Sequence, residues 1–134
     1  MKLVEFPFGK FEFHEKYIVS EIAEGAQVEC EDIALLVDRI NEHYLGKPVG
    51  YISRRINESS MNPMVYIKHP PYEAAGIVSF AIVAYRDVSG RCARLEKQMS
   101  ASSGQVQMEL FWNFDAAVGW TLDQVERVRS GNAV

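Results

Sequence analysis

The stretch GIVSFAIVAYR, residues 76–86, limits the fold more than any other part of this 134-residue sequence. Apolar side chains occupy both sets of its alternating positions, so a strand formed by it would bury both faces. Such a strand lies inside a parallel sheet that is covered on both sides by other elements, usually crossover helices. The sequence therefore predicts an α/β architecture built around this central strand.

The neighbouring segments alternate between the period of helices and that of strands. Residues 30–45 place apolar side chains at helical spacing, and Gly46 follows as a stop signal. The positions of this stripe are Ile33, Leu36, Val37, Ile40 and Tyr44. Further strands are predicted over 48–55 and 106–112, and further helices from Asn62-Pro63, over 89–101 and after Asn113.

The first 25 residues show period-two alternation around a polar turn. Phe11 and Phe13 fall on one face, Glu12 and His14 fall on the other, and Glu15-Lys16 interrupts the pattern. This pattern predicts an N-terminal β-hairpin that ends at Gly25. With the later elements, it gives a mostly parallel sheet with right-handed crossover helices, in a single domain over residues 1–134.

Charge and hydropathy exclude several classes of protein. Fourteen basic and eighteen acidic residues give a net charge of −4, which offers no reason to expect nucleic acid or a membrane surface as partner. The longest apolar run, residues 74–85, is too short to span a bilayer, so an integral membrane protein is not expected. The N-terminus carries charges where a signal peptide would be apolar. We therefore expect a cytoplasmic protein, in which Cys30 and Cys92 are free thiols.

Three stretches resemble a known family: PVGYISRRINESS at 48–60, FAIVAYRD at 80–87 and LFWNFDAAVGWTL at 110–122. Together with the order of elements, they resemble the SpoIIAA-like, or STAS, domain, and in particular the small bacterial STAS/SEC14-type single-domain proteins. The resemblance implies a SpoIIAA-like βα superhelix. It also implies a regulatory module that binds another protein, as the anti-sigma-factor antagonists do.

The same resemblance directs attention to three serines. The antagonists carry a phosphorylatable serine in a D-S-S/A-G motif, and DVSG at 87–90 has similar letters one strand-helix unit later in the chain. The position that matches by topology holds Ser59 and Ser60. Ser89 is most simply a helix N-cap. Ser59, Ser60 and Ser89 are therefore candidate phosphoacceptors, and the loop 57–62 with the helix start at Ser89-Gly90 is the candidate partner surface.

Four arginines suggest an alternative function. Arg54 and Arg55 end one predicted parallel strand, Arg86 ends the next, and Arg91 opens the following helix. Ligands of open α/β sheets bind at the carboxyl ends of the strands, and guanidinium groups suit phosphate or carboxylate. These residues thus predict a site for a small anionic or lipid ligand. In the competing interpretation they pair with Glu58, Asp87 and Glu96 on a solvated rim.

Other chemistry has little support in the sequence. The histidines at 14, 43 and 69 lack metal-ligand spacing, and no nucleophile elbow, dinucleotide fingerprint or phosphate loop occurs. We therefore expect no catalytic residue, metal or cofactor. Phe6, Phe8, Phe11 and Phe13 are expected in the core; if Phe6 and Phe8 stay outside, they form a patch through which the chain forms a homodimer.

Overall fold

A computed structural model of the chain describes residues 1–62, 64–65, 76–85 and 106–131. The strands in these ranges are β1 (Lys2–Phe6), β2 (Gly9–Phe13), β3 (Tyr17–Ile22), β4 (Gln27–Val28), β5 (Val49–Arg55), β6 (Ser60–Met61), β7 (Ile77–Ala84) and β8 (Gln107–Phe111). The helices are α1 (Cys30–Tyr44) and α2 (Phe114–Arg129).

The described strands form a six-stranded sheet in the order β1-β2-β3-β5-β7-β8, and β4 pairs with β6 in a short parallel ladder. β2 runs antiparallel to both of its neighbours, β1 and β3, whereas β3, β5, β7 and β8 run parallel. β7 lies between two parallel neighbours, and seven of its eight residues are buried. The predicted α/β fold with a central strand in residues 76–86 is confirmed.

The N-terminus contributes one strand more than the sequence predicted. The hairpin around Glu15-Lys16 is present as β2 and β3. β1 precedes it and pairs with β2 through a two-residue turn at Pro7-Phe8, since Phe6 lies opposite Gly9. Pro7 has no amide hydrogen and interrupts the alternation of the sequence, which hides the first strand of this three-stranded unit.

Helix α1 covers one face of the sheet, as its apolar stripe predicted. Ile33, Leu36, Ile40 and Tyr44 are buried in a cluster that also contains Tyr51 and Phe80 of the central strands. The helix begins where the Glu29 amide donates to Asp32 Oδ2 at 2.9 Å. It ends at Leu45, which has a left-handed φ of 53°, one residue before the predicted stop at Gly46.

Helix α2 covers the other face of the sheet. Ile52, Ala81 and Val83 alternate with the residues that face α1, and they pack with Ala117 of α2. The Asn113 side chain accepts a hydrogen bond from the Ala116 amide at 3.0 Å, so the predicted N-cap is confirmed.

The N-terminal phenylalanines belong to the core. Phe8, Phe11 and Phe13 are buried, and Phe6 is half-buried with its ring stacked on Phe8 at 5.1 Å between centroids. The alternative in which Phe6 and Phe8 form an exposed patch is therefore wrong, because Phe8 is only 6% exposed. A homodimer, if it forms, needs another surface.

Of two further predicted helices, the one from Asn62 lies partly and the one over 89–101 wholly outside the described residues. Met64 and Val65 are helical, and the Met64 amide donates to Asn62 Oδ1 at 3.0 Å, in keeping with a helix that starts at Asn62. The predicted helix over 89–101, with Ser89 as its cap and Cys92 on its stripe, lies outside the described residues.

Gly50 of β5 lies where α2 packs so closely on the sheet that there is no room for a side chain. A Cβ atom at this position would overlap the methyl group of Thr121 and would lie 3.0 Å from Ser79 Oγ. We expect Gly50→Ala to lower the free energy of unfolding by about 1–3 kcal/mol, the range for overpacked cores, in urea unfolding. Adding Thr121→Ser removes the overlapping methyl group and is expected to recover part of the loss.

Gly119 of α2 is the matched control. A Cβ atom there would meet nothing within 4 Å, so Gly119→Ala is expected to raise the free energy of unfolding by about 0.5–1 kcal/mol through helix propensity. Equal stability of Gly50→Ala and the unsubstituted protein would contradict this account of the α2 packing.

Candidate functional site

The carboxyl ends of β5 and β7 lie side by side, as the sequence predicted. The two strands are parallel, and their register places Arg54 opposite Val83 and Arg55 opposite Ala84. Of the candidate anion-binding residues, Arg86 and Arg91 lie outside the described residues. Arg54 and Arg55 are the two candidate residues that lie within the described ranges.

Arg54 and Arg55 lie on opposite faces of the sheet. The Arg54 guanidinium is on the α2 face, 4.8 Å from the centroid of the Phe114 ring. Arg55 is on the α1 face, where its Nε donates to Ser53 Oγ at 2.6 Å. Consecutive strand residues alternate between faces, so β5 offers a ligand one guanidinium on each side.

Arg54 is already held by several groups. Its Nη1 lies 3.1 Å from Glu21 Oε1, and its Nε donates to the Tyr85 hydroxyl at 3.2 Å. Together with Phe114, these contacts tie the ends of β3, β5 and β7 to the start of α2. An anionic ligand at Arg54 would have to share the guanidinium with the Glu21 carboxylate, which repels it.

No sequence pattern identified Glu21, Tyr85 or Phe114 as contacts of Arg54. The predicted partners of the four arginines were Glu58, Asp87 and Glu96, of which Asp87 and Glu96 lie outside the described residues. Within the described residues, Arg54 forms an ion pair with Glu21. The only signal was alternation, which puts Glu21 on the same face of its strand as Val19. The deciding fact is the β3–β5 register, in which Ser20 lies opposite Ser53, and no sequence pattern specifies it.

The loop 57–62 is held firmly against the segment between β3 and α1. Backbone hydrogen bonds join Gly25 N to Glu58 O at 2.7 Å, Ser60 N to Ala26 O at 3.0 Å and Asn62 N to Val28 O at 2.9 Å. These bonds give the loop one defined conformation.

Side chains strengthen the same attachment. Asn57 Nδ2 donates to Ile22 O at 3.0 Å, and Asn62 Nδ2 donates to Glu29 Oε2 at 2.9 Å. The Glu58 amide donates to Glu24 Oε2 at 2.9 Å. Both ends of the loop and its middle are thus fixed by polar contacts.

The fixed loop presents hydroxyl and apolar groups to solvent. Ser59 and Ser60 are exposed, and Ile56 and Met64, which bracket the loop in sequence, are 39% and 40% exposed. We refer to Ile56, Ser59, Ser60 and Met64 as the loop surface. Two exposed carboxylates adjoin it, because Glu58 precedes Ser59 and the Glu24 side chain accepts from the Glu58 amide.

Phosphorylation of Ser59 or Ser60 stays a prediction, and its electrostatic effect would be specific. A phosphoryl group at Ser59 would add negative charge next to Glu58 and close to Glu24, which holds the Glu58 amide. Like charges repel, so the modification would loosen the loop or reject an acidic partner. Ser89, the third candidate, lies outside the described residues.

The described residues contain no group of three or more His, Cys, Asp or Glu side chains placed to hold a metal ion. His14 forms a pair with Glu12, Nε2 to Oε1 at 2.9 Å, on the face where alternation placed both residues. Cys30 is a free thiol. Among the described residues, no helix combines the length and apolar character that crossing a membrane requires.

Comparison with solved structures identifies the architecture. An uncharacterised DUF3478-family protein from Shewanella loihica, described as SpoIIAA-like in fold, superposes with a TM-score of 0.56 and 12% sequence identity, over 84% of this chain and 91% of that one. The chain has a SpoIIAA-like fold. The predicted SpoIIAA-like, or STAS, architecture is thus confirmed, and at this identity the likeness concerns the fold alone. No protein-family model matches the sequence, and no curated protein matches it either.

The Glu21–Arg54 ion pair can be tested by a double-mutant cycle with Glu21→Gln and Arg54→Met, which keep the side chains similar in size. Both side chains are about two-thirds buried, at 33% and 28% exposed. We expect a coupling free energy of about 1 kcal/mol in urea unfolding at low salt, falling in concentrated salt.

The exposed pair Asp123–Arg127 is the control, at 3.8 Å with side chains 72% and 63% exposed. A helical pair of this kind is expected to couple by less than about 0.5 kcal/mol. If the Glu21–Arg54 coupling does not exceed that of the control, Arg54 is not neutralised as described.

Proposed function

We propose that the protein is a non-enzymatic module that binds another protein through the loop surface, in a regulatory role. The observation that carries the proposal is the fixed conformation of the loop 57–62, which combines main-chain attachment at Gly25, Ser60 and Asn62 with exposed side chains. A loop ordered before binding loses little conformational entropy when a partner docks.

The composition of the loop surface indicates which kind of partner would fit it. Ile56 and Met64 supply apolar contact area at its ends, and Ser59 and Ser60 supply hydrogen-bonding groups between them. The exposed carboxylates of Glu24 and Glu58 adjoin them, so a partner with a basic, partly apolar face is the best complement. The resemblance to anti-sigma-factor antagonists supports the same class of function.

The alternative, a small anionic or lipid ligand at Arg54, Arg55, Arg86 and Arg91, has weaker support from the described contacts. Arg54 is neutralised by Glu21, and Arg55 lies on the other face of the sheet. A ligand there would have to share Arg54 with the Glu21 carboxylate, whose charge repels an anion. The protein-binding proposal involves no such repulsion.

The proposal can be tested with Ile56→Arg and Ser59→Arg, compared with Leu122→Arg. Ile56 and Leu122 are matched in exposure, at 39% and 36%, but Leu122 lies on α2. Proteins captured from cells that encode the chain are identified by mass spectrometry, and their affinity for each purified variant is then measured.

We expect the two loop variants to bind the captured partner at least about tenfold more weakly than the unsubstituted chain, and Leu122→Arg to bind it unchanged. Thermal unfolding of all three variants controls for folding. A partner that binds Ile56→Arg and Ser59→Arg as tightly as Leu122→Arg would rule out the loop surface as its binding site.

A further inference from the structure

A second candidate site lies at the opposite end of the parallel strands, where β5 begins. A pocket of about 210 Å³ is lined by Glu15, His43, Tyr44, Leu45, Lys47 and Arg129. These residues come from the β2–β3 turn, the end of α1, the connection to β5 and the last turn of α2. The volume is below the roughly 300–1,000 Å³ of sites for drug-sized ligands, so it suits a small one.

Arg129 is fixed in position, and no described residue forms an ion pair with it. Its Nε donates to Pro48 O at 2.9 Å, and its Nη2 donates to Glu15 O at 3.1 Å. These acceptors are neutral carbonyl groups, and the ion pairs among the described residues include none with Arg129 or Lys47. The pocket thus holds two cationic side chains, and hydrogen bonds fix the orientation of Arg129 before any ligand binds.

Apart from the Glu15 carboxylate, the oxygen atoms of α1 that face the pocket region are engaged in hydrogen bonds. The C-terminal carbonyls of α1 accept main-chain hydrogen bonds, Asn41 O from Leu45 N at 3.0 Å and Tyr44 O from Lys47 N at 3.1 Å. The Tyr44 hydroxyl donates to His14 O at 2.6 Å. Burial raises the pKa of Tyr44 far above its usual value, against the opposing charge of Arg129, so the phenol stays neutral.

We propose that this pocket binds a phosphoryl group, held by Lys47 and Arg129. The two cations outweigh the single carboxylate of Glu15, and His43 adds an imidazole to the lining. Arginine and lysine are the side chains that recognise phosphate oxygens. The phosphoryl group could belong to free phosphate or to a small phosphate monoester. The exposed side chain of Leu45 distinguishes between these two ligands.

Leu45 stands at the pocket with 81% of its surface exposed and with a left-handed backbone, φ 53°. An apolar side chain in this conformation is unfavourable both in hydration and in backbone energy. Contact with the organic part of a monoester would offset the first cost. The geometry therefore favours a monoester over free phosphate.

The test is titration calorimetry of the full chain with inorganic phosphate and with glycerol phosphate at low salt. We expect saturable binding, weakened at least about tenfold in Lys47→Gln through loss of a charge-assisted hydrogen bond. Lys10→Gln removes the same charge from an exposed position on β2 that does not line the pocket, and it should bind like the unsubstituted chain.

A glycerol phosphate preference that disappears in Leu45→Gly would identify a monoester as the ligand, and equal or tighter binding of inorganic phosphate would identify the free anion. Both results support a phosphoryl site. Absence of saturable binding to either anion, or equal affinities of Lys47→Gln and the unsubstituted chain, would overturn the proposal.

Discussion

Strand β7 lies between β5 and β8 with its residues buried on both faces. Five further strands continue its sheet, and the two described helices cover it. Parallel neighbours require crossover connections, which bring helices onto the faces. α1 and α2 supply apolar surfaces on opposite sides, and Gly50 lets α2 approach closely enough to bury Ala81 and Val83. Loss of that close approach would expose the apolar strand on which the sheet is built.

The arginines at the two ends of the parallel strands have different kinds of partner. At the carboxyl end, Arg54 is neutralised by Glu21 and stacked on Phe114, so its cation serves to join strands and helix. At the opposite end, Arg129 is anchored by carbonyl groups, and no described carboxylate pairs with it. The protein partner that we propose would meet a fixed loop at the carboxyl end, and the phosphoryl group that we propose would meet an anchored cation at the amino end.

Much of the fold follows from local sequence patterns. The apolar run of β7, the stripe of α1 and the Asn113 cap each depend on residues close in sequence, and each was predicted. The contacts of Arg54 and Arg129 were not, because they depend on strand register and on helix packing between segments distant in sequence. Arg129, for example, donates to carbonyls 81 and 114 positions away. The sequence also indicated the loop 57–62 through its serines, but its attachment to residues 22–29 is visible only in three dimensions.

The central claim is that the loop 57–62 is fixed before any partner binds, and amide hydrogen exchange of the free protein tests it most directly. The amides of Gly25, Ser60 and Asn62 donate main-chain hydrogen bonds and are expected to exchange at least roughly a hundredfold more slowly than unprotected amides. The Ser59 amide, for which the described residues provide no main-chain acceptor, is the internal reference. Exchange of all four amides at the same fast rate would contradict the account, because the loop would then acquire its shape only on binding.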